Sequence, residues 1–154
     1  SMVAHLLKSG GKNIAAFLGG LTQNYNSNLI LHDEESGDAT VVVEADEFDR
    51  SFLHLHPNVA VVTSADPDHL DIYGDDAQMM DGFRAFIDLI AADGSLYIHA
   101  KAFQKLGAPK SKSVTVKQYG INIGEIQATG MDGQSDAAIA GNDLVDLTDG
   151  GDDS

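Results

Sequence analysis

The apolar positions of the chain fall into short runs whose spacing switches between helical and extended. Met2, Val3, Leu6 and Leu7 recur at helical spacing behind Ser1 and stop at Gly10-Gly11, so a helix is expected there, with the chain opening inside it. Ala15 to Leu18 reads as a short strand, Gly19-Gly20 as a break, and residues 22–28 as a polar loop. Leu29-Ile30-Leu31 and Thr40 to Val43 flank Glu34-Glu35-Ser36-Gly37-Asp38, the pattern of a hairpin. Val41-Val42-Val43 and Val59-Ala60-Val61-Val62 are continuous rather than alternating, as in strands buried on both faces of a sheet. Residues 48–56 leave room for a short helical crossover between them, so the two are expected as a parallel pair with a right-handed connection. Their carboxyl ends would then share one edge, the place where open α/β sheets bind ligands.

Further along, Asp75 to Ile90 reads as an amphipathic helix with Met79, Met80, Phe83, Phe86, Ile87 and Ile90 inward, closed by Asp93-Gly94. The methionines at this spacing are core filler. Ser95 to His99 predicts a strand, Lys101 to Leu106 a short helix, and Ser113 to Tyr119 another strand after a loop at Pro109. From Ile121 onward glycine and aspartate interrupt short apolar pieces, which suggests a small antiparallel β subregion. No internal repeat is evident.

These elements describe an α/β fold with a mixed, largely parallel sheet flanked by helices. At 154 residues and 43% hydrophobic, the chain can build one core but not two full domains. Residues 1–110 are expected to form the α/β body, and 111–154 a small β subregion and acidic tail of the same domain. The longest apolar runs are about five residues, against the roughly 18 that span a bilayer. With no charged-then-apolar leader, a soluble cytoplasmic protein without a membrane partner is expected.

The absence of cysteine removes disulfides and thiolate metal sites, so any metal must be held by oxygen or imidazole. A formal net charge of -15, from 24 acidic against 9 basic residues, repels phosphate backbones, and the sparse Lys105, Lys110, Lys112 and Lys117 make no basic stripe. Nucleic acid is not an expected partner. The terminal Asp143, Asp146, Asp149, Asp152 and Asp153 read as a solvated tail, because calcium-binding glycine-aspartate repeats need tandem copies and only one poor copy is present.

Two acidic clusters follow the valine-rich runs. Glu44-Ala45-Asp46-Glu47-Phe48-Asp49 holds four carboxylates, and strand alternation points Glu44 and Asp46 to one side. Thr63-Ser64-Ala65-Asp66-Pro67-Asp68-His69-Leu70-Asp71 adds three carboxylates and a histidine. Oxygen ligands of this kind suit Mg²⁺, which usually bridges to substrate phosphates. Each carboxylate also has a plainer reading as a helix cap or a solvated group, Asp68 and Asp71 above all. Lone histidines such as His5, His54 and His99 read as surface or packed residues; His69 differs because it sits inside an acidic cluster.

The stretch Val43-Glu44-Ala45-Asp46-Glu47-Phe48-Asp49-Arg50-Ser51-Phe52-Leu53 followed by Pro57, then Val61-Val62-Thr63 and Asp68-His69-Leu70-Asp71, closely resembles the central domain of the Mur ligases. The resemblance is strongest to the UDP-N-acetylmuramate:L-alanine ligases. Met2 to Leu7 resembles the helix after that family's phosphate loop, and Ala16-Phe17-Leu18-Gly19-Gly20 its next strand. The likeness runs from Ser1 to about Gly94 and is loose beyond Ser111.

The resemblance implies a P-loop-NTPase-like domain and an amide-forming ligation that consumes ATP with Mg²⁺. UDP-N-acetylmuramate and L-alanine are the implied substrates, joined through an acyl phosphate. By position, Glu44 matches a metal-binding glutamate and His69 the histidine associated with the second metal and the substrate. Imidazole is a poor ligand for Mg²⁺, so His69 contacting the substrate carboxylate or a metal-bound water stays open. The resemblance also puts Asn28 and Ser64 on the substrate side; Ser64 stands where the family often has asparagine. The family's glycine-rich loop ending in Gly-Lys-Thr is expected just before Ser1, so the isolated stretch is expected to be inactive. The lysine that some sister ligases carbamylate falls on Phe83, which favours the alanine-adding branch. Two rivals remain. One is the recycling ligase that adds a murein tripeptide to the same sugar nucleotide. The other is a non-catalytic acidic module that binds cations or a protein partner through its terminal aspartates.

Overall fold

The structure, a computed structural model, describes residues 1–31, 39–45, 50–66, 76–129 and 138–140. Tertiary contacts divide the chain into two compact units, Ser1–Phe52 and Leu53–Ser154.

The first unit opens with α1 (Met2–Ser9), followed by β1 (Ile14–Thr22), β2 (Ser27–Ile30) and β3 (Thr40–Val43). Helix α1 ends where Gly10 N–H donates to Leu6 O at 2.9 Å and Lys12 N–H to Leu7 O at 3.0 Å, across a left-handed Gly11 (φ 75°) that glycine adopts without a Cβ penalty. Strand β1 is central, in the order β2-β1-β3. It pairs antiparallel with β2, Ala16 opposite Ile30, and parallel with β3, Ala16 opposite Val42. Alternation sends Ile14, Ala16 and Leu18 to one face, where they form a core with Ile30 and with Ala4 of α1; Leu7, Tyr25 and Val42 pack against it. Burying each of the larger aliphatic side chains contributes about 1.5–3 kcal/mol.

This arrangement corrects three expectations. Gly19-Gly20 does not break β1, which runs through both glycines. The hairpin is β1–β2, not β2–β3, because β1 takes β2 on one edge and β3 on the other. The valine run of β3 is not buried on both faces: Val41 is 60% exposed and Val43 42%. Phe17, flanked in register by Leu29 and Val43, is exposed on the same side of the sheet.

The second unit holds a 3-10 turn (Ser51–His54, entering from the first unit), β4 (Val59–Val62), α2 (Asp76–Asp88), β5 (Ser95–His99), α3 (Ala100–Leu106), β6 (Thr115–Ile121), β7 (Ile126–Thr129) and β8 (Ala138–Ala140). The five strands run in chain order, parallel from β4 to β7 with β8 antiparallel at the edge. So the region expected to be antiparallel continues the main sheet, and only its β7–β8 pair is antiparallel. Strands β3 and β4 belong to different sheets, β3 beside β1 and β4 beside β5, which overturns the expected parallel pair. A run of valines marks a strand, but its partner is chosen by contacts distant in sequence. Residues 48 and 49 of the expected crossover lie outside the described residues; the 3-10 turn follows them.

The core of this unit takes Ala60 and Val62 from β4, Leu96 and Ile98 from β5, Met79, Phe86 and Ile87 from α2, and Ala102 and Leu106 from α3. Helix α2 meets α3, which meets β5 and β6. Arg84 ties the two helices, donating to Asp81 at 3.1 Å and to the Lys105 carbonyl at 3.2 Å. The turn into β5 requires glycine at 94: a Cβ there would lie 2.6 Å from the Asn58 carbonyl oxygen.

Candidate functional site

Strands β1 and β3 are parallel, so their carboxyl ends lie at one edge of the first sheet, and a cleft of about 580 Å³ opens there. Ser1, Met2 and His5 of α1 line it, with residues 20–25 of the β1–β2 hairpin and Glu44. Glu44 follows β3 directly. Its N–H donates to Phe17 O at 2.8 Å, carrying the ladder one residue past the strand and fixing its main chain beside β1. The carboxylate lies close over Gly19. No side-chain hydrogen bond or ion pair joins it to another described residue.

The hairpin tip is held by its own chemistry. Asn26 adopts a left-handed conformation (φ 47°), which asparagine tolerates, and its N–H donates to Thr22 O at 2.8 Å. Thr22 Oγ1 donates to Ser27 O at 2.9 Å across the turn. Tyr25 OH then bonds His5 Nδ1 at 3.0 Å, with Asn24 Nδ2 3.4 Å from the same nitrogen, so the tip is tied to α1. Lys8 Nζ sits 5.3 Å from the Tyr25 ring centroid, in cation–π range.

Of the residues expected in the site, Glu44 lines the cleft. Asn28 is exposed on β2 and is not among the lining residues; Asn24 of the same hairpin is. Ser64 follows β4 in the second unit, where its hydroxyl donates to Asp66 Oδ2 at 3.0 Å and accepts from Asp66 N–H at 3.0 Å. Lys105 Nζ donates to Asp66 Oδ1 at 2.5 Å. The Lys105 bond, then the Ser64 bond, then the lysine charge hold the Asp66 carboxyl below its usual range. His69 lies outside the described residues, as do Asp46, Asp49, Asp68 and Asp71.

His5, Asn24 and Tyr25 are the cleft residues that sequence reasoning passed over. Reading Gly19-Gly20 as strand would have exposed Asn24 and Tyr25, since residues 23–26 then become a hairpin tip at the edge that Glu44 shares; His5, on α1, has no such local signal. Among the described residues no three histidine or acidic side chains cluster to hold a metal. Among the described residues the cleft offers one carboxylate, Glu44; Mg²⁺ is usually held by one or two carboxylates with waters and phosphates completing the shell.

Residues 1–141 match the family model of the Mur ligase middle domain. Over 98 residues, 64% of this chain and 21% of the relative, the sequence is 53% identical to the UDP-N-acetylmuramate--L-alanine ligase of Flavobacterium psychrophilum. Over 109 residues, 71% of this chain and 22% of the relative, it is 50% identical to the enzyme of that name from Porphyromonas gingivalis. The chain thus spans about a fifth of the length of these curated relatives. Among solved structures it resembles the UDP-N-acetylmuramate:L-alanyl-gamma-D-glutamyl-meso-diaminopimelate ligase of Neisseria meningitides, with a TM-score of 0.66 at 24% identity over 82% of this chain and 43% of that one. It also resembles the MurF ligase of Thermotoga maritima in complex with ADP, with a TM-score of 0.57 at 16% identity over 82% of this chain and 30% of that one. At such identities the two structures speak for the fold alone.

Proposed function

This chain belongs to the Mur ligase family, as its middle domain, and from that premise we propose that the ligase it is part of joins L-alanine to UDP-N-acetylmuramate using ATP. The observation that carries the reading is the identity of 50% to 53% with enzymes named for that reaction. In this reading residues 1–110 make the α/β body of the middle domain and 111–154 its β extension and acidic end. Among the described residues no helix is long and apolar enough to cross a membrane, and we place the ligase in the cytoplasm.

The muramate carboxylate takes the γ-phosphoryl group of ATP and becomes an acyl phosphate; the amine of alanine attacks its carbonyl carbon and phosphate leaves. Bringing a carboxylate to a phosphoryl group concentrates negative charge, so positioning and charge neutralisation dominate the first step. Glu44 is the residue that would hold Mg²⁺, which when bound neutralises charge on the phosphoryl oxygens. Among the described residues no cation pairs with its carboxylate, which supports that role. His69 is assigned with Glu44 to the metal and substrate side, and Asn28 and Ser64 to the substrate. No glycine-rich loop ending in Gly-Lys-Thr occurs in these 154 residues, so this sequence does not itself contain the family's ATP phosphate cradle.

The full-length ligase, given ATP and UDP-N-acetylmuramate, should release phosphate with L-alanine and not with the tripeptide L-alanyl-γ-D-glutamyl-meso-diaminopimelate. Turnover with the tripeptide alone would assign the recycling reaction instead. No turnover with either amine would leave the non-catalytic acidic module.

A further inference from the structure

We propose that Gly19 is a positioning residue for the Glu44 carboxylate: the missing side chain at this point of β1 is what lets the carboxylate lie against the strand and face the cleft. An ideal Cβ at Gly19 would sit 3.0 Å from Glu44 Oε1 and 3.4 Å from Cδ, closer than such contacts normally run. At Gly20, next in the chain, a Cβ would meet nothing within 4 Å, so the cramped position is specific to residue 19.

The β1–β2 register shifts between Phe17 and Thr22, but the φ of Gly19 does not itself demand glycine. Among the described residues the glycines with left-handed φ are Gly11, Gly107 and Gly124, and Gly19 is not one of them. Inside a strand glycine loses more conformational entropy than alanine and packs nothing, so it is retained where another group approaches closely. Here that group is a carboxylate.

Glu44 cannot withdraw as a whole. Its N–H is bound to Phe17 O at 2.8 Å, which holds its main chain beside β1. A methyl at 19 would therefore be relieved through the side-chain torsions of Glu44, moving the carboxylate by a few tenths of an ångström or into another rotamer. Mg²⁺ asks for near-ideal octahedral geometry, and ligand distances are held to within roughly 0.2 Å. A displacement that the fold tolerates is thus large enough to degrade the ligand. This consequence rests on the reading of Glu44 as a metal ligand; the steric relation between Gly19 and Glu44 does not.

The test is a double-mutant cycle in the full-length ligase with Gly19→Ala, Glu44→Ala and the pair, read as thermal midpoints without metal, together with the Mg²⁺ dependence of turnover for Gly19→Ala and Glu44→Gln. With Glu44 shortened, alanine at 19 should raise the midpoint, as expected when glycine is replaced in a strand. With Glu44 intact the same change should raise it less or lower it. The half-saturating Mg²⁺ concentration should rise about tenfold in Gly19→Ala, the scale seen when a residue orienting a metal ligand is altered. Equal midpoint shifts in both backgrounds would overturn the proposal. A Mg²⁺ requirement unchanged in Glu44→Gln would instead remove Glu44 from the metal site, while the cycle still decides whether Gly19 sets its position.

Discussion

In the Leu53–Ser154 unit three of the described carboxylates meet cations: Asp66 takes Lys105, Asp81 takes Arg84 and Asp88 takes Lys110. In the Ser1–Phe52 unit Glu44 faces a cleft and meets no cation among the described residues, although Lys8 stands on the helix that lines the same cleft. Lys8 lies over the Tyr25 ring instead. Surface ion pairs contribute about 0–1 kcal/mol each, so the second unit gains a little stability from its acids. Among the described residues the first unit pairs Glu44 with no cation, and such a carboxylate can act on a bound cation without first releasing a protein partner. The sheets differ in the same sense. Leu96 and Ile98 of β5 are fully buried, whereas β1 has one face packed on α1 and shows Phe17 on the other.

The largest expected effect tests that difference in burial. Leu96→Ala should destabilise the chain by about 2–5 kcal/mol, the usual range for a buried leucine, and Phe17→Ala by less than about 1 kcal/mol. Denaturant melts of both variants decide it, and equal losses would mean that the Phe17 face is covered. Next comes the unpaired carboxylate. Glu44→Gln should lower kcat of the full-length ligase about a hundredfold or more at saturating Mg²⁺, the scale of losing one preorganised electrostatic contact. Asp88→Asn should leave turnover near that of the parent. Comparable losses in the two variants would erase the contrast between the units.

A smaller effect belongs to the hairpin tip. Tyr25→Phe removes the hydroxyl bonded to His5 and should cost about 1 kcal/mol, the typical net value of one hydrogen bond. Chemical denaturation followed by tyrosine-independent circular dichroism would measure it, and no change would mean that the tip is held by its turn alone.

The smallest effect is the pH dependence of the paired acids. Burial opposes the charge on Asp88, but the side-chain and backbone bonds from Lys110 and the lysine charge outweigh it and hold its pKa below the usual range. A carboxyl lowered on folding stabilises above its unfolded pKa and loses that contribution as pH falls through its folded one. The stability difference between the parent chain and Asp88→Asn should therefore be present at neutral pH and vanish as pH falls through and below the ordinary aspartate range. Melting both proteins across that range checks the sign, and a difference that grew on acidification would refute it.

What the sequence determined by itself was the part that depends on near neighbours. The strand at Ser95–His99 has the predicted bounds, and the helix at Asp76–Asp88 buries Met79, Phe86 and Ile87 as its spacing requires. The family resemblance was legible for a similar reason, since each of its motifs is a short contiguous stretch. Strand partners were not. Nothing local says that β1 lies between β2 and β3, or that β3 and β4 belong to separate sheets, because pairing is settled by contacts far apart in sequence. Gly19-Gly20 looked like a break because glycine weakens a strand when judged alone. Only the folded sheet shows that β1 continues through both glycines. It brings His5, Asn24 and Tyr25 to the cleft and lays a carboxylate over Gly19, where the lack of a side chain has a use.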